Sequence, residues 1–262
     1  MKAVIIAAGK GTRMRGFTRE LPKCLAIVLN GKSLLETQLE VLRFCGISDI
    51  SVVRGYKAEK INYPGIRYYF NDRYEGNNIL ESLFYAEREM DGSVIISYGD
   101  IWYGADIVEK LAQATGDITL AVDVQWRDTY LGRKEHPVEE AELVRWNENQ
   151  EVTDIGKIGL EAGRIDGEFI GMMKLSPTGC KIFKECFHRA RDLFARKPFQ
   201  RSPLFEKAYL TDLLQEMADQ DISIHCAVVG NEWREIDTLE DLDRVSEFMK
   251  KRRERLGSTP VT

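Results

Sequence analysis

The stretch AVIIAAGKGTRM, residues 3–14, decides how this chain is expected to fold. Its first five residues are apolar, which is typical of a strand buried in a parallel sheet. Gly9 and Gly11 follow, and glycine lets the backbone turn sharply at the carboxyl end of such a strand. A strand that ends in a glycine-rich loop presents backbone N–H groups to an anion. The stretch therefore predicts a strand, a sharp turn and an anion-binding loop, in that order.

Two cations accompany this loop. Arg13 lies within it, and Lys23 closes the Leu-Pro-Lys segment at residues 21–23, directly after Pro22, which stiffens the chain. Together with the N–H groups of the loop, these charges suit a nucleoside triphosphate that is about to lose pyrophosphate. Lys23 also fits a second interpretation, a surface lysine whose ammonium stays in water.

The loop differs from the two best-known phosphate-binding motifs. The dinucleotide fingerprint G-x-G-x-x-G needs a third glycine at the position of Met14. The P-loop G-x-x-x-x-G-K-[ST] fits the spacing of Gly11 and Gly16, but Phe17 and Thr18 follow in place of Lys and Ser/Thr. The sequence excludes both motifs and leaves G-x-G-T-R-M followed by Leu-Pro-Lys.

That remaining pattern resembles the signature of nucleotidyltransferases with a GT-A-like α/β fold, which activate sugar phosphates and phosphoalcohols. A plain glycine-rich turn between strand and helix, with two surface cations, is the alternative. The resemblance implies that Lys23 holds the α-phosphate of the nucleotide and Arg13 its β and γ end. The nucleotide-binding residues that it implies around the loop are Ala8, Gly9, Gly11, Thr12, Arg13, Lys23, Gly55 and Gly99.

Composition limits the class of protein. The chain has 262 residues, of which 44% are hydrophobic and 30% charged, and no apolar stretch approaches the ~20 residues of a membrane-spanning helix. Its five cysteines are scattered, which favours reduced thiols over a disulfide framework or zinc site. A net charge of −5 argues against nucleic-acid binding. We therefore expect a cytoplasmic monomer or homodimer without signal peptide, membrane or nucleic-acid partner.

Apolar strand patterns alternate with helical patterns through the first half of the chain. Strands are predicted near residues 3–7, 50–53, 66–70, 93–97 and 118–124, and helices near residues 33–46, 78–90 and 107–114. This alternation predicts a doubly wound, mostly parallel α/β sheet of the GT-A or Rossmann type. Ligands of such sheets bind beyond the carboxyl ends of the strands. The loops that should share this edge are 8–13, 54–57, 98–103 and 125–134.

The pattern changes between about residues 125 and 175. Short segments near 141–146, 152–158 and 169–175 predict antiparallel strands, which we expect to form a small lid sheet over the acceptor. Further predicted elements are helices near 177–196 and 204–219, a strand near 222–229 and a C-terminal helix at 238–255. We expect one nucleotidyltransferase domain over residues 1–262.

Two aspartates are candidate ligands of a divalent cation. Asp100 follows a predicted strand and Gly99, and Asp237 precedes the last helix. Each also fits a local role, Asp100 as a turn residue and Asp237 beside a helix cap. In the family that the motifs resemble, a strand-end Asp and a late Asp share the metal. The resemblance therefore implies Mg²⁺ as the cofactor, which prefers one or two carboxylates together with phosphate oxygens and water.

The segment EGNNILES, residues 75–82, is the candidate for contact with the base. Asn77 and Asn78 offer donors and acceptors to a pyrimidine edge, although Asn77 also fits a simple helix cap. The Asn-Asn-x-x-x-Ser arrangement, which ends at Ser82, resembles cytidylyltransferases of the phosphocholine and phosphonate branch. The resemblance implies CTP as the nucleotide.

Two later blocks, WRDTYLGRKEHP at 126–137 and GEFIGMMKLS at 167–176, resemble cytidylyltransferases that act on phosphonates. They imply transfer of CMP from CTP to a phosphonate such as 2-aminoethylphosphonate or 2-hydroxyethylphosphonate, with release of pyrophosphate. Phosphocholine and sugar 1-phosphates are the alternative acceptors, and a non-catalytic nucleotide sensor is a third possibility, which the presence of Lys23 and Asp100 argues against.

Cations suit the phosphonate group of such an acceptor. Lys157 lies roughly where relatives place a lysine on the acceptor, and with Arg13 and Lys23 it completes the expected catalytic cations. Arg133 and Lys134 fit an acceptor site and solvated surface charges equally well. An aromatic side chain in the acceptor pocket would attract a quaternary ammonium group of the acceptor. Trp233 is a candidate for this role, but core packing is as good an interpretation of that residue. The full acceptor-binding set is Arg127, Tyr130, Arg133, Lys134, Lys157, Glu168 and Trp233.

Overall fold

The computed structural model describes residues 1–14, 16–157 and 163–256, and a mixed sheet runs through its centre. The strands of these residues are β1 Lys2–Ala7, β2 Ile27–Leu29, β3 Lys32–Ser33, β4 Asp49–Arg54, β5 Arg67–Phe70, β6 Val94–Tyr98, β7 Ile101–Tyr103, β8 Ile118–Asp123, β9 Leu143–Trp146, β10 Val152–Gly156, β11 Gly167–Leu175, β12 His225–Val229 and β13 Trp233–Glu235. The helices are α1 Leu34–Phe44, α2 Ile79–Phe84, α3 Ala105–Gln113, α4 Arg127–Tyr130, α5 Pro177–Phe194, α6 Leu210–Ala218 and α7 Leu239–Leu256. No helix in the described part of the chain combines the length and apolar character that crossing a membrane requires.

The main sheet has the strand order β5-β4-β1-β6-β11-β8-β12, in which β11 alone is antiparallel to its described neighbours. Strand β1 is central, and residues 3–7 are buried. Its side chains alternate between two cores, with Val4 and Ile6 on one face and Ile5 on the other. Helices cover both faces, as a doubly wound sheet requires. The predicted α/β class is confirmed.

Most predicted elements occur near the expected places, but two predicted helices are shorter in the structure. The helix predicted over 78–90 ends at Phe84, because the N–H groups of Tyr85 and Ala86 bond to carbonyls only three residues back. The helix predicted over 204–219 starts at Leu210, after a short 3₁₀ turn that buries Phe205. Residue 158, the predicted end of the strand from 152, lies outside the described residues.

Strand β11 departs from the expectation of a separate lid sheet. We expected residues 169–175 to join a small antiparallel sheet, but β11 lies between β6 and β8 in the main sheet, and the hairpin β9–β10 continues from its start. All nine residues of β11 are buried, so both faces of the strand need a packed neighbour, which a lid over solvent could not supply. Small antiparallel sheets do occur, as the pairs β2–β3 and β7–β13.

The pair β7–β13 brings the two predicted metal ligands to one place. Tyr103 lies opposite Trp233, and Ile101 lies opposite Glu235. The ladder continues with a hydrogen bond of 2.9 Å from the Ile236 N–H to the Asp100 carbonyl oxygen. Because the carboxylates of Asp100 and Asp237 lie at the end of this ladder, two residues far apart in sequence become neighbours.

Substitution of Gly99, which precedes Asp100, tests how closely its backbone packs against β1. A Cβ atom there would lie 2.7 Å from the Ile6 carbonyl oxygen and 2.9 Å from the Ala7 Cβ. We expect Gly99→Ala to lower the free energy of unfolding by about 1–3 kcal/mol, since a buried backbone cannot move aside freely. Gly92→Ala is the control, because no atom of the described residues lies within 4 Å of its added Cβ. Equal stability of the two variants in urea denaturation would contradict this packing.

Candidate active site

A cleft of about 310 Å³ opens at the carboxyl ends of β1 and β6. This is the edge at which ligands bind in doubly wound sheets, and the volume is that of a small-molecule site. The predicted site residues that line the cleft are Gly9, Gly11, Thr12, Arg13, Lys23, Asn78, Asp100, Lys157, Glu168, Trp233 and Asp237.

The glycine loop packs closely against Lys23. Gly11 has a φ of +60°, which favours glycine, and an added Cβ would lie 2.9 Å from the Lys23 Cβ. Ala8 and Gly55 support the loop from below, where a Cβ on Gly55 would lie 2.8 Å from the Ala8 carbonyl oxygen. The backbone of Gly99 is similarly close to β1, with its N–H bonded to the Ile6 carbonyl at 2.9 Å. Ala8, Gly55 and Gly99 therefore lie behind the wall of the cleft and support its backbone.

Two cations and two carboxylates meet at the nucleotide end of the cleft. The Lys23 Nζ lies 2.7 Å from the Asp100 Oδ2 and 2.5 Å from the Asp237 Oδ1. The Arg13 Nη2 lies 2.7 Å from the Asp237 Oδ2. Burial raises the pKa of Asp237, but the positive charges of Lys23 and Arg13 and the adjacent His136 ring outweigh burial and hold that pKa well below its usual range. Burial lowers the pKa of Lys23, but the two carboxylates raise it by more, so the pKa of Lys23 lies above its usual value and its ammonium stays charged.

His136 and Glu235 extend this cluster, and the sequence analysis gave neither of them a role. The His136 Nδ1 lies 3.2 Å from the Asp237 Oδ2, and its Nε2 lies 3.4 Å from the Glu235 Oε2. One ligand atom each from His136, Glu235 and Asp237 lies within 4.8 Å of the others. A signal for Glu235 was present in the sequence, because residues two apart in an extended segment point to the same side.

The carboxylates of Asp100 and Asp237 fit a divalent cation. Carboxylate oxygens are the protein ligands that Mg²⁺ prefers. The Asp100 Oδ1 is buried and accepts no hydrogen bond from the described residues, so one oxygen remains available for coordination. The predicted pair is therefore chemically suited to the metal that the sequence analysis implied.

The other end of the cleft holds two further carboxylates. Glu168 is 3% exposed, and its Oε1 accepts a hydrogen bond of 2.6 Å from the Tyr130 hydroxyl. Glu142 accepts hydrogen bonds from the Tyr98 hydroxyl at 3.0 Å and the Thr211 hydroxyl at 3.2 Å. Burial raises the pKa of Glu168 to about 8 and that of Glu142 to about 7. The sequence analysis placed Glu168 here but missed Glu142.

Lys157 lines the cleft between its two ends. Its ammonium is hydrogen-bonded to Glu140 and lies 3.3 Å from the Tyr209 hydroxyl and 4.5 Å from the centre of that ring. The Arg13 Nη1 is 4.0 Å from the same Glu140 carboxylate. Glu140 thus links the predicted acceptor lysine to the glycine loop.

The two asparagines of the predicted base-binding segment differ in placement. Asn78 lines the cleft, and its side-chain amide also donates to the Lys207 carbonyl at 3.0 Å. Asn77 and Ser82 are buried, and both accept hydrogen bonds from the Asn71 amide, at 2.9 and 2.8 Å. They support the start of α2 behind the cleft.

The predicted acceptor residues before α7 lie largely outside the cleft. The Arg133 Nε binds the Asp241 Oδ1 at 2.6 Å, and its Nη2 lies 3.4 Å from the Glu235 Oε2. Arg127 is exposed and lies over the Trp126 ring, and Lys134 is exposed. Tyr130 lines a second pocket of about 390 Å³ with Arg127 and Arg133, while its hydroxyl reaches Glu168. Of the predicted aromatic groups, Trp233 lines the cleft and donates from Nε1 to the Asp123 Oδ2 at 2.8 Å.

Removal of the central ammonium tests its electrostatic role. Lys23→Met leaves two carboxylates facing each other in the cleft, and we expect the free energy of unfolding to fall by about 3 kcal/mol. Lys32→Met removes a more exposed ion pair with Glu40 and should cost at most about 1 kcal/mol. Denaturant unfolding near neutral pH measures both losses, and losses of similar size would contradict the central role of Lys23.

The raised pKa of Glu168 predicts a pH dependence of stability. The pKa of this carboxyl is 4.5 in the unfolded chain and about 8 in the folded protein. Between these two pH values, only the folded state keeps the proton. The free energy of unfolding should therefore fall as pH rises through this window, by about 3–5 kcal/mol from this group. Glu168→Gln should remove that part of the slope, whereas the exposed Glu139→Gln should retain it. Parallel stability curves for wild type and Glu168→Gln would show that Glu168 is not protonated.

Comparison with known proteins places this geometry in a family. Residues 3–162 match the model of the MobA-like NTP transferase domain. CTP:phosphoglutamine cytidylyltransferase of Campylobacter jejuni is 29% identical over 93% of this chain and 98% of its own length. For 2-aminoethylphosphonate cytidylyltransferase of Lancefieldella rimae the identity is 26%, over 92% of this chain and 89% of its own.

Two solved structures share the fold. CTP:phosphocholine cytidylyltransferase of Streptococcus pneumoniae aligns with a TM-score of 0.70 and 23% identity, covering 95% of this chain and 98% of its own. The inositol-1-phosphate CTP transferase of T. maritima aligns with a TM-score of 0.74 and 23% identity, covering 97% and 96%. The resemblance drawn from the glycine loop is confirmed, and the chain belongs to the family of MobA-like NTP transferase domains.

Proposed function

We propose that this protein transfers the CMP group of CTP to a small phosphonate, of the kind represented by 2-aminoethylphosphonate or 2-hydroxyethylphosphonate. An oxygen of the acceptor forms a bond to the α-phosphorus, the bond from that phosphorus to the bridging oxygen breaks, and pyrophosphate leaves. The observation that carries the proposal is the convergence of the glycine loop, Lys23, Asp100 and Asp237 at one end of the cleft. The cytidylyltransferase relatives support CTP as the nucleotide.

The residues of the nucleotide end have roles that follow from their charge and position. Backbone N–H groups of the glycine loop and the Arg13 guanidinium bind the β- and γ-phosphates, which become the leaving pyrophosphate. Lys23 binds oxygens of the α-phosphate and offsets the charge that develops there. Lys157 holds the anionic group of the acceptor from the opposite wall. Catalysis is then mainly orientation and charge neutralisation, as in other phosphoryl transfers.

Asp100 and Asp237 would hold Mg²⁺, and Asn78 is the residue of the predicted base-reading segment that reaches the cleft. The bound metal supplies positive charge to the reacting phosphates. The two aspartates fix its position, because the β7–β13 ladder holds their backbones together. The Asn78 amide offers both a donor and an acceptor to the pyrimidine edge of cytosine.

A substrate panel tests the proposed reaction. Purified protein with CTP and Mg²⁺ should release pyrophosphate when 2-aminoethylphosphonate or 2-hydroxyethylphosphonate is added, and phosphocholine is the comparison acceptor. Release with phosphocholine alone would move the assignment to a phosphoester acceptor. Consumption of UTP or GTP with a hexose 1-phosphate, without any use of CTP, would replace the proposal with a sugar nucleotidyltransferase.

Asp100→Ala tests the metal site within this reaction. We expect kcat to fall by at least about 100-fold, because the variant loses one of two charged groups that organise the transition state. Asp243→Ala, at an exposed position of α7, is the control and should keep wild-type kcat. The melting temperature of each variant checks that the fold is retained. Wild-type turnover by folded Asp100→Ala would remove Asp100 from the proposed metal site.

A further inference from the structure

The charges along the cleft are divided unevenly between its two ends. At the nucleotide end, Lys23 and Arg13 pair with Asp100 and Asp237, and between the two ends Lys157 pairs with Glu140. These pairs leave Glu168 and Glu142 at the other end. Among the described residues, the side chains that donate hydrogen bonds to these two carboxylates are the hydroxyl groups of Tyr130, Tyr98 and Thr211.

Glu168 carries the strongest indication of a missing partner. Its Oε2 is buried and accepts no hydrogen bond from the described residues, although the residue lines the cleft. An acceptor atom that is buried and unpaired destabilises the folded state, and more so when it is charged. A ligand with N–H donors would satisfy this oxygen.

Aromatic rings surround the same end of the cleft. Tyr98, Phe169 and Trp233 line it beside Glu142 and Glu168. Rings attract organic cations through their negatively charged faces, and they offer little to a hydrated metal ion. Carboxylates together with rings therefore favour an ammonium group on a small organic molecule.

We propose that Glu168 and Glu142 bind an ammonium group of the acceptor, and that this binding releases a proton to solvent. The inference rests on the proposed function and specifies its acceptor as an amine-bearing phosphonate or phosphate. In this step a neutral carboxyl and an ammonium ion form a carboxylate–ammonium pair, and the carboxyl proton passes to solvent. The acceptor would lie with its anionic group toward Lys157 and its ammonium toward Glu168.

The surroundings of the two carboxyls support the proton step. Burial is the main cause that raises the pKa of Glu168 to about 8, and it raises that of Glu142 to about 7, so near neutral pH Glu168 is mostly protonated and Glu142 is partly protonated. The titratable and charged groups that face Glu168 are Tyr130, Arg133, Asp123, Glu142 and Glu235, and those that face Glu142 are Tyr98, Lys157 and Asp212. A bound ammonium adds the nearby positive charge that favours ionisation.

Matched acceptors test the inference in the full chain. 2-Aminoethylphosphonate and 2-hydroxyethylphosphonate differ in the ammonium group alone, so their kcat/KM ratio with CTP and Mg²⁺ reports recognition of the charge. In Glu168→Gln we expect KM for the amine to rise about tenfold or more and the ratio to fall equally, with the hydroxyl compound nearly unaffected. Glu139→Gln, at an exposed position, is the matched control. A uniform loss for both acceptors would indicate a merely structural role and overturn the inference.

Calorimetry supplies a readout that does not depend on turnover. Titration of 2-aminoethylphosphonate in buffers with different ionisation enthalpies counts the protons released on binding, which we expect for wild type and not for the hydroxyl compound. Glu168→Gln should release fewer protons. Failure to bind the amine more tightly than the hydroxyl compound overturns the inference, even where both acceptors release pyrophosphate and the proposed function stands. Absence of pyrophosphate release with every acceptor, despite proton-linked binding of the amine, would instead contradict the proposed function.

Discussion

The ammonium of Lys23 lies between the carboxylates of Asp100 and Asp237, and the rest of the cleft is arranged around this contact. Two carboxylates this close repel each other, and each loses hydration as the chain folds over it. Lys23 offsets both costs because it is hydrogen-bonded to both groups. Arg13 joins Asp237 from the glycine loop, so loop, lysine and acids behave as one unit. A phosphate group that enters here meets cations that are already oriented, which is how proteins promote phosphoryl transfer.

Short pieces of backbone hold this unit together over long distances in sequence. The β7–β13 ladder spans three residue pairs, and it keeps the strand-end aspartate beside the late one. Arg133 adds a second connection, because it binds both Asp241 in the first turn of α7 and Glu235 in β13. Through these two contacts Arg133 supports the backbone behind the cleft.

The parts of the site that sequence analysis predicted are those that local rules determine. The strand, the glycine turn and the cations at 3–14 and 21–23 depend on residues close in sequence, and the structure places them together at the cleft. Arg127 and Lys134 were predicted from charge alone, which does not determine the side of the chain that faces the cleft. Asn77 pairs with Asn71, a partner visible only in three dimensions. Glu142 was missed because its hydroxyl partners, Tyr98 and Thr211, are distant in sequence and become its neighbours only when the chain folds.

Buried carboxyls at the two ends of the cleft have pKa values shifted in opposite directions, so the two ends differ in charge. Asp237 is buried beside cations, which hold its pKa low and keep it charged, whereas burial raises the pKa of Glu168 by more than its hydrogen bond from Tyr130 lowers it. The first end therefore has fixed charges suited to phosphates, and the second has carboxyls whose raised pKa values keep them at least partly protonated near neutral pH. A small zwitterion with a phosphonate at one end and an ammonium at the other can satisfy both ends in one orientation alone. Under the proposed function, that orientation would turn the anionic oxygen toward the end that binds the α-phosphorus, so recognition of the distant ammonium would also align the attacking atom.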